Sequence, residues 1–403
     1  MSGVDFLNRL LGTAKVEWKS LGDEHYFEIA NSGRKPVKAS LRQPGETPYY
    51  GANNIQDYVE GHTHDGVFVL IAEDGSASLE NYSIQYAEGK FWANNHVHVV
   101  RGTQAVDTRF LYHYLSIVNF IPFLTGGGRA KLTKGSMVEI EVPIPCPDNL
   151  KKSLEIQAEI VRILDAFTEL TTELTTELTT RKKQYKHYRD QLLSFEDGEV
   201  EWKTLPEMAL DFGRGKSKHR PRNDEKLYGG DIPFIQTGDI RNAAHIILHY
   251  SQTYSEFGLK QSKLWPKGTL CITIAANIAE TSILGFDACF PDSVIGFVAD
   301  PKKTSADYVE YLLQSVKNQL EEKGKEKSSA QSNINLATFE QLKLPFPSLA
   351  EQARIVAILD KFDALTNSIT EGLPREIELR QKQYAHYRDL LLSFPKPQEV
   401  ETA

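Results

Sequence analysis

The chain has 403 residues, 40% of them hydrophobic and 25% charged, which is enough for two or more globular domains. Its formal net charge of −8 at pH 7, taken alone, disfavours a nucleic-acid-binding protein. No apolar run approaches the roughly 20 residues of a membrane helix, and three widely spaced cysteines without a CxxC pair argue against a zinc ribbon or a disulfide framework and indicate a reducing cytoplasm.

Residues 1–150 are predicted to form a first sheet-rich domain. The stretch 65–100 is rich in β-branched and aromatic residues punctuated by glycines, as strands and turns are. Near the end of the domain stands the glycine-rich, basic segment GGGRAKLTKG. Such loops can approach phosphates through backbone N–H groups and read base edges through side chains, although a solvated surface turn is the alternative. The candidate DNA ligands here are Arg129, Lys131 and Lys134.

Residues 151–195 are predicted to form one long helix, because the 42 residues from Leu154 to Phe195 contain no proline or glycine. Apolar residues recur at steps of three and four, the spacing of an amphipathic helix with one buried face. A helix of that length spans roughly 63 Å. The residues of this stripe are Ile160, Leu164, Phe167, Leu170, Leu174 and Leu178.

The middle of this helix is a tandem repeat. The unit Thr-Glu-Leu-Thr occurs three times in succession, at 168–171, 172–175 and 176–179. Adjacent identical copies of so short a unit are rare in globular chains, and they indicate a function that depends on length. The alternative is that the repeat is only a good coiled-coil helix.

Residues 196–347 are predicted to form a second sheet-rich domain with some helix in 305–322. Two stretches contain cations and no acid: RKKQYKHYR (181–189) on the long helix and GRGKSKHRPR (213–222) in this domain. Such patches bind phosphate even on an acidic protein, whereas the alternative is a solvated basic face. KGKEKSSAQSNIN (323–335) occupies the place that GGGRAKLTKG has in the first domain. The candidate DNA ligands here are Arg214, Lys216, Lys218, Arg220, Arg222, Gln331 and Asn333.

Residues 348–403 repeat the pattern of the long helix, so the chain contains an internal duplication. QYKHYRDQLLSF (184–195) matches QYAHYRDLLLSF (383–394) at ten of twelve positions, and IQAEIVRILDAF (156–167) matches EQARIVAILDKF (351–362) at eight of twelve. VEWKSL and VEWKTL begin the two domains in the same way. The second apolar stripe consists of Ile355, Leu359, Phe362, Leu365, Ile369 and Leu373.

The two helices are predicted to pack on each other along these stripes, antiparallel because the chain returns through a domain between them. Glycine and proline in EGLPRE (371–376) predict a break in the second helix. The fold class is then α+β: two α/β domains separated by two long helices packed as an antiparallel coiled coil, with pseudo-twofold duplication. Matched aromatic and basic side chains on the helices are candidates for docking a partner: Tyr185, Tyr188, Arg189, Tyr384, Tyr387 and Arg388.

The sequence contains no convincing catalytic or metal-binding set. GKS at 215–217 lacks the preceding glycine that a phosphate loop needs. His62 with His64, and His96 with His98, would each share one face of a strand, and each pair could supply half of a metal site. Because no cysteine or carboxylate cluster stands beside them in the sequence, ordinary polar or core histidines are favoured.

The whole chain resembles the specificity subunit (HsdS) of type I restriction–modification enzymes. The residues that carry the resemblance are PIPCPDNLKKSLEIQAEIVRILDAF (143–167), the tandem units, RKKQYKHYRDQLLSF (181–195), EVEWKTL (199–205) and ITEGLPREIELRQKQYAHYRDLLLSF (369–394). Tandem four-residue units in the central helix are typical of the EcoR124 branch (type IC). The unit here is Thr-Glu-Leu-Thr, where that branch has an alanine-containing unit.

The resemblance implies that each variable domain is a target recognition domain for one half of a bipartite DNA site, and that this chain is not an enzyme. The helices would dock two modification (HsdM) subunits, which use S-adenosylmethionine to methylate adenine by base flipping. Restriction (HsdR) subunits with ATP and Mg would cleave unmethylated DNA, while this chain would bind no cofactor. Four helical residues turn a net ~40°, close to one base pair of B-DNA at roughly 34–36°, so each repeat unit is expected to add about one base pair of spacer.

The alternative function is a coiled-coil scaffold that presents two protein-binding domains, and the acidic net charge favours it. A third interpretation, a hidden nuclease site, requires metal-dependent cutting of DNA by the isolated chain. Salt-dependent DNA binding by the assembled complex distinguishes the specificity function from a protein-only scaffold, because counterion release accompanies phosphate contacts.

Overall fold

The structure of the protein is a computed structural model. By its contacts the chain divides into two compact units, Met1–Thr172 with Glu378–Ala403, and Glu173–Ile377. No helix among the described residues is both long and apolar enough to cross a membrane. The residues that the structure describes are 15–126, 130–196, 198–243, 245–274, 278–326, 334–368 and 371–396.

The first domain is built on a six-stranded sheet of order β2-β7-β5-β6-β3-β4. β5, β6 and β7 pair antiparallel, whereas β3 pairs parallel with the end of β6, where Tyr49 lies opposite Trp92. β1 and β8 form a separate antiparallel pair that joins the start of the domain to its end. The elements in chain order are β1 (Val16–Ser20), β2 (Phe27–Ile29), β3 (Pro44–Tyr50), β4 (Ile55–Val59), β5 (His64–Ala72), β6 (Ile84–Ala93), β7 (Val97–Gly102), α1 (Thr108–Leu115), α2 (Lys134–Met137) and β8 (Glu141–Pro145).

The second half of strand β5, from Phe68 to Ala72, is buried on both faces, which explains its unbroken apolar sequence. Because successive side chains of a strand point to opposite faces, Val69 and Ile71 lie in the main core with α1, while Phe68 and Leu70 lie in a second core. The sheet is thereby covered on both sides, and the domain has two hydrophobic layers.

The second domain has a similar order of strands, but its strands are shorter. Its sheets have the orders β10-β18-β15-β16-β12 and β13-β11-β17-β14, and β9 pairs with β19. The elements in chain order are β9 (Glu201–Thr204), α4 (Leu205–Met208), β10 (Ala209–Arg214), β11 (Tyr228–Phe234), α5 (Thr237–Asn242), β12 (Ile246–Ile247), β13 (Gln252–Tyr254), α6 (Glu256–Lys260), β14 (Leu264–Trp265), β15 (Leu270–Thr273), β16 (Thr281–Leu284), β17 (Ala288–Cys289), β18 (Val294–Ala299), α7 (Ala306–Glu326), α8 (Leu336–Glu340) and β19 (Lys343–Phe346). The long helix α3 (Leu150–Leu192) precedes this domain, and the C-terminal helices follow it.

The order β10-β18-β15 repeats the order β2-β7-β5 of the first domain. The parallel pairing of β11 with β17 likewise repeats that of β3 with β6, and β13 takes the place of β4. The one long hairpin of β5 and β6 is split here into β14 with β17 and β15 with β16, because Pro266–Gly268 and Gly285–Asp287 interrupt the strands. The two divergent sequences are therefore variants of one domain, as the duplication predicts.

The predicted long helix is confirmed as α3 (Leu150–Leu192), an unbroken element of 43 residues. The predicted break in the second helix is also confirmed, since α9 (Leu349–Thr366) ends before α10 (Gly372–Leu391) begins. Gly372 has φ +74°, a left-handed conformation that favours glycine. Pro374 lies in the first turn of α10, where its missing N–H removes no helical hydrogen bond.

Each long helix is fastened to the domain that precedes it by a buried glutamine and an aspartate. In the first unit, Gln157 Oε1 accepts from Asp107 N at 2.8 Å and its Nε2 donates to Ala105 O at 3.2 Å. About two turns further along the same helix, Asp165 accepts hydrogen bonds from Arg109 Nε at 2.9 Å and from His113 Nε2 at 2.8 Å, both on α1.

The second unit repeats this device at the matched positions. Gln352 Oε1 accepts from Thr304 Oγ1 at 2.8 Å, and its Nε2 donates to Lys303 O and Pro347 O at 3.0 and 2.9 Å. Asp360 accepts from Tyr311 of α7 at 2.7 Å. The conserved spacing of the two repeated segments is thus explained by attachment of helix to domain.

The first two residues of each predicted apolar stripe are buried in a domain core. Ile160 and Leu164 are fully buried in the core of the first domain, beside Phe110 of α1. Ile355 and Leu359 are fully buried in the core of the second domain, which contains residues of α7. These four positions were predicted as a seam between the helices. Each core contains side chains of the domain together with a residue of the other long helix, Leu391 of α10 in the first and Tyr185 of α3 in the second, so the seam stays a prediction.

Aromatic stacking joins helix to helix inside each unit. Phe167 of α3 stacks on Tyr387 of α10, with ring centroids 5.3 Å apart. Phe362 of α9 stacks on Tyr188 of α3 at 5.6 Å and contacts Tyr185 at 6.2 Å. The remaining predicted seam residues Leu170, Leu174, Leu178, Leu365 and Leu373 are half-buried, and Ile369 lies outside the described residues. Packing of the stripes along their whole length stays a prediction.

We expect Gln352→Ala to lower the free energy of unfolding by about 1–3 kcal/mol, because it leaves a buried hydroxyl and two carbonyl oxygens without a partner. Denaturant unfolding followed by tryptophan fluorescence measures this. Gln381→Ala is the matched control: its side chain is exposed on α10, and we expect a change within about 0.5 kcal/mol. Equal effects of the two substitutions would show that the buried glutamine does not fasten the helix.

The second domain also contains a charge cluster around one buried carboxyl group, that of Glu310. His245 lies 3.1 Å from Asp307 and directly contacts Glu310, whose side chain has no exposed surface. Hydrogen bonds to Asp307 and Glu310 outweigh burial and raise the pKa of His245 to about 10. The imidazolium therefore stabilises the fold fully below its unfolded pKa of roughly 6.5, and this contribution is lost as the pH rises through about 10.

His245→Gln should destabilise the second domain by about 3–5 kcal/mol at pH 7, since Glu310 is left buried without a cation. The stability difference between wild type and variant should narrow as the pH is raised through about 10. Denaturant midpoints across pH 6.5–10.5 test this, and Glu310→Gln added to the variant should recover part of the loss. A difference that is constant across this range would refute the charged pair.

Candidate nucleic-acid interface

Of the five cations predicted as DNA ligands in the second domain, Arg214 ends β10 and the other four lie in the connection between β10 and β11. Gly215 N donates to Val294 O at 2.8 Å, Lys218 N donates to Gln261 O at 3.2 Å, and Ser262 Oγ donates to Lys216 O at 2.9 Å. A Cβ at Gly215 would lie 2.2 Å from Phe290 O, so only glycine fits there. The backbone is thus held close to the domain while its basic side chains remain on the outside.

These cations divide into paired and unpaired groups. Arg222 binds both carboxylate oxygens of Asp292, at 2.9 and 2.8 Å, and Arg220 donates to backbone carbonyls, including His219 O at 2.8 Å. The exposed side chains of the other three form no ion pair with any residue that the structure describes. Those three, available to an external anion, are Arg214, Lys216 and Lys218.

In the first domain, the predicted ligand Lys131 is paired and Lys134 is not. Lys131 Nζ lies 2.9 Å from Glu73 Oε1, and Arg34 Nη1 lies 2.6 Å from Oε2 of the same carboxylate. Burial alone would raise the pKa of Glu73, but the hydrogen bonds from Arg34 and Lys131 outweigh it, so the pKa lies below its ordinary value. Lys134 is exposed at the start of α2 and has no ion pair within the described ranges.

Three predicted DNA ligands, Arg129, Gln331 and Asn333, lie outside the described residues. The described residues near the C-terminal ends of the two basic segments, GGGRAKLTKG and KGKEKSSAQSNIN, are placed alike. Leu132 N donates to Glu73 O just after β5, and Ile334 N donates to Ile274 O just after β15. The next residues, Thr133 and Asn335, cap α2 and α8. The C-terminal ends of the two segments therefore occupy corresponding places in the two domains.

The histidine pairs do not lie on shared strand faces. β5 begins at His64, which is buried against Ala30 O, whereas His62 precedes the strand and is exposed. His96 precedes β7 and binds Asp74, whereas His98 lies within β7. Burial lowers the pKa of His98. Within the described part of the chain, no group of three or more His, Cys, Asp or Glu residues is placed to hold a metal ion.

The tyrosines predicted to dock a partner separate into inner and outer residues. Tyr185 is 8% exposed, its hydroxyl lies 3.3 Å from Gln314, and burial raises its pKa. Tyr384 packs against the core of the first unit. Because these two rings are used inside their own units, they offer little surface to a partner. Tyr188 and Tyr387 remain 45% and 40% exposed.

The two arginines of this set are equivalent in their contacts. Arg189 lies over the ring of Tyr185 and binds Asp190, and Arg388 lies over Tyr384 and binds Asp389. The carboxylate neighbours them in the sequence at each site, so both guanidinium groups are partly neutralised. Their role toward a partner stays a prediction.

The repeat units are helical throughout. Threonine hydroxyls donate to the carbonyl oxygen four residues earlier, as Thr171 does to Phe167 O at 2.8 Å and Thr179 to Thr175 O at 2.9 Å. The leucines of the units are half-buried. Each unit therefore adds four residues to one continuous helix.

The sequence also contains one basic segment that is not among the predicted DNA ligands. RKPVKASLR (34–42) has four cations and no acid, the same signal as GRGKSKHRPR (213–222). It lies in the connection between β2 and β3. Glu73, which binds Arg34 and Lys131, was likewise invisible in the sequence because its partners are far away along the chain.

The chain matches a known domain family twice. The sequence model of the type I restriction modification DNA specificity domain matches residues 15–181 and 200–379. Each match begins at or just before a VEWK strand and covers one domain with most of the helix that follows it. The internal duplication is thus a duplication of this family domain.

Full-length relatives are similar over nearly the entire chain. A Haemophilus influenzae protein classed as a type I restriction enzyme specificity subunit is 46% identical over 400 residues, covering 96% of this chain and 98% of its own. The EcoR124I/EcoR124II specificity subunit of Escherichia coli is 36% identical over 420 residues, covering 99% and 100%. The EcoprrI specificity subunit of Escherichia coli is 32% identical, covering 92% and 93%.

Solved structures share the fold at low sequence identity. The S subunit of a type I restriction–modification system from M. genitalium superposes with a TM-score of 0.58 at 15% identity, covering 96% of this chain and 97% of that one. A chain from a study of complex assembly and conformational transition of the type I R-M system gives 0.56 at 15% identity, covering 94% and 97%. The fold class predicted from the sequence is therefore confirmed.

Proposed function

This chain belongs to the family of type I restriction–modification DNA specificity subunits, and we propose that its two domains read the two halves of one bipartite DNA site. The observation that carries the proposal is the duplication: one family domain occurs twice, with the same strand topology and divergent sequence. Two copies of one reader with different surfaces are what an asymmetric, two-part DNA sequence requires. The exposed cations of each copy supply contacts to the phosphate backbone.

In this proposal the chain supplies specificity and a scaffold, and other subunits perform the chemistry. Two modification (HsdM) subunits bind S-adenosylmethionine and methylate adenine, while restriction (HsdR) subunits use ATP and Mg to cleave DNA. The half-exposed Tyr188 and Tyr387, at matched positions on α3 and α10, are the proposed docking contacts for the modification subunits. A related structure described for complex assembly of the type I R-M system supports such an assembly.

The proposal is tested by co-expressing this chain with the modification subunit of its own system and mapping methylated adenines by single-molecule sequencing. We expect methylation at a bipartite motif with a spacer of fixed length. DNA binding by the complex should weaken steeply with salt, because phosphate contacts release counterions. A chain that forms no complex with the modification subunit, and shows no salt-dependent DNA binding, would instead support the protein-binding scaffold.

The repeat makes a separate prediction about the spacer. Deleting Thr172–Thr175 shortens α3 by roughly 6 Å and rotates one end by about 40° relative to the other. We therefore expect the methylated motif to keep both half-sites and to lose about one base pair of spacer. The length-preserving pair Thr172→Ala and Thr175→Ala is the control and should leave the spacer unchanged. A deletion variant that methylates the original motif would rule out the helix as a ruler.

A further inference from the structure

The basic segment 34–42 occupies the same place in the first domain that 214–222 occupies in the second. In the first domain the segment follows the edge strand β2, which pairs with β7. In the second domain it follows the edge strand β10, which pairs with β18. The strand after the segment is β3 in the first domain, which pairs parallel with the end of β6, and β11 in the second domain, which pairs parallel with β17. This correspondence comes from strand pairing alone, and it does not depend on any similarity of sequence.

The segment 34–42 is held on a built platform of aromatic rings. Trp92 Nε1 donates to Lys35 O at 2.7 Å, and Val37 N donates to the hydroxyl oxygen of Tyr49 at 3.0 Å. The rings of Tyr49 and Trp92 are stacked with centroids 6.3 Å apart. Lys35 N is bound in turn to Ala93 O at 3.0 Å. Like its counterpart, the segment therefore has an ordered backbone that determines where its side chains emerge.

Two of the four cations of the segment form ion pairs within the domain, and two form none with any described residue. Arg34 is paired with Glu73, and Arg42 lies 4.1 Å from the ring centroid of Tyr49 and 3.3 Å from Asp57. The exposed ammonium groups of Lys35 and Lys38 form no ion pair with any described residue, and Lys35 Nζ lies 5.9 Å from the ring centroid of Trp92, at the outer limit of a cation–π contact. The second domain shows the same division, since Arg222 is paired there while Lys216 and Lys218 are not.

The segment also adjoins the basic loop that contains Lys131 and Lys134. One carboxylate, Glu73, binds Arg34 from the segment at 2.6 Å and Lys131 from the loop at 2.9 Å. These two parts of the chain are thus tied side by side at the end of β5.

We propose that Lys35 and Lys38 contact DNA phosphates in the first domain, as Lys216 and Lys218 do in the second. The inference rests on the proposed function, and it specifies which residues position each domain on its half-site. A lysine ammonium is a mobile point charge suited to a phosphate, whereas the guanidinium groups of Arg34 and Arg42 are held by protein partners. The four lysines therefore orient the two domains without selecting bases.

The test uses the complex with modification subunits and three double variants of equal charge change. They are Lys35→Gln with Lys38→Gln, Lys216→Gln with Lys218→Gln, and the control Lys151→Gln with Lys152→Gln at the exposed start of α3. We expect the first two to reduce the slope of log affinity against log salt by about two, one for each lost phosphate contact. The control should keep the wild-type slope, and all three should keep the wild-type melting temperature.

Phosphate ethylation interference then locates the contacts. The variant in the first domain should lose interference signals in one half-site only, and the variant in the second domain should lose them in the other. The methylated motif should stay the same in both, because phosphate contacts carry no base information. Unchanged salt slopes for Lys35→Gln with Lys38→Gln, or losses in the same half-site for both variants, would overturn the inference.

Failure of the inference is distinguishable from failure of the proposed function. If the function is wrong, the wild-type complex itself has no bipartite methylated motif and no localised interference. If only the inference is wrong, the wild type reads its two half-sites and the variants at Lys35 and Lys38 bind as the control does.

Discussion

The attachment of each long helix to the domain before it is the constraint on which the rest of the structure depends. Gln157 and Gln352 are buried amides whose hydrogen bonds are satisfied by the loop at the start of α1 or α7. Asp165 and Asp360 add a second fixed point on the same helices. A helix can transmit a length or a rotation only when its domain cannot turn about it. Two polar anchors with specific geometry, added to apolar packing, prevent that rotation.

The charge distribution resolves the apparent conflict between an acidic chain and a DNA ligand. The net charge of −8 describes the whole molecule, but DNA contacts only the surfaces turned toward it, and salt screens charges more than about 8–10 Å away. Paired cations such as Arg34 and Arg222 are held by carboxylates of their own domain, and the lysines beside them that form no ion pair with a described residue are the proposed phosphate contacts. Both kinds of cation are needed, because a lysine on an unanchored loop would lose conformational entropy on binding.

The two domains show how recognition surfaces diverge on a common sheet. Continuous strands β5 and β6 in the first domain correspond to four short strands in the second, where proline and glycine interrupt the ladder. The basic connection is anchored by aromatic rings in one domain and, in the other, by hydrogen bonds of its backbone with Gln261 O and the Ser262 hydroxyl. Such exchange of anchors preserves the position of the connection while it changes which side chains surround it. A different half-site can then be read without a change of topology.

The sequence by itself determined the local elements and their repetition: the 43-residue helix α3, the break before Gly372, and two copies of one domain are encoded in periodicity, proline and glycine placement, and repeated segments. These are properties of neighbouring residues, so they can be inferred without coordinates. Only the tertiary structure decided what each face of a helix covers. Ile160 and Ile355 have the spacing of a helix seam, and the structure buries them in cores that also contain domain residues such as Phe110 and Tyr308. It also decided which cations are paired, since Glu73 and Arg34 are distant in sequence and meet only after the sheet forms. Burial and ion pairing are set by contacts between distant segments, and periodicity contains no information about such contacts.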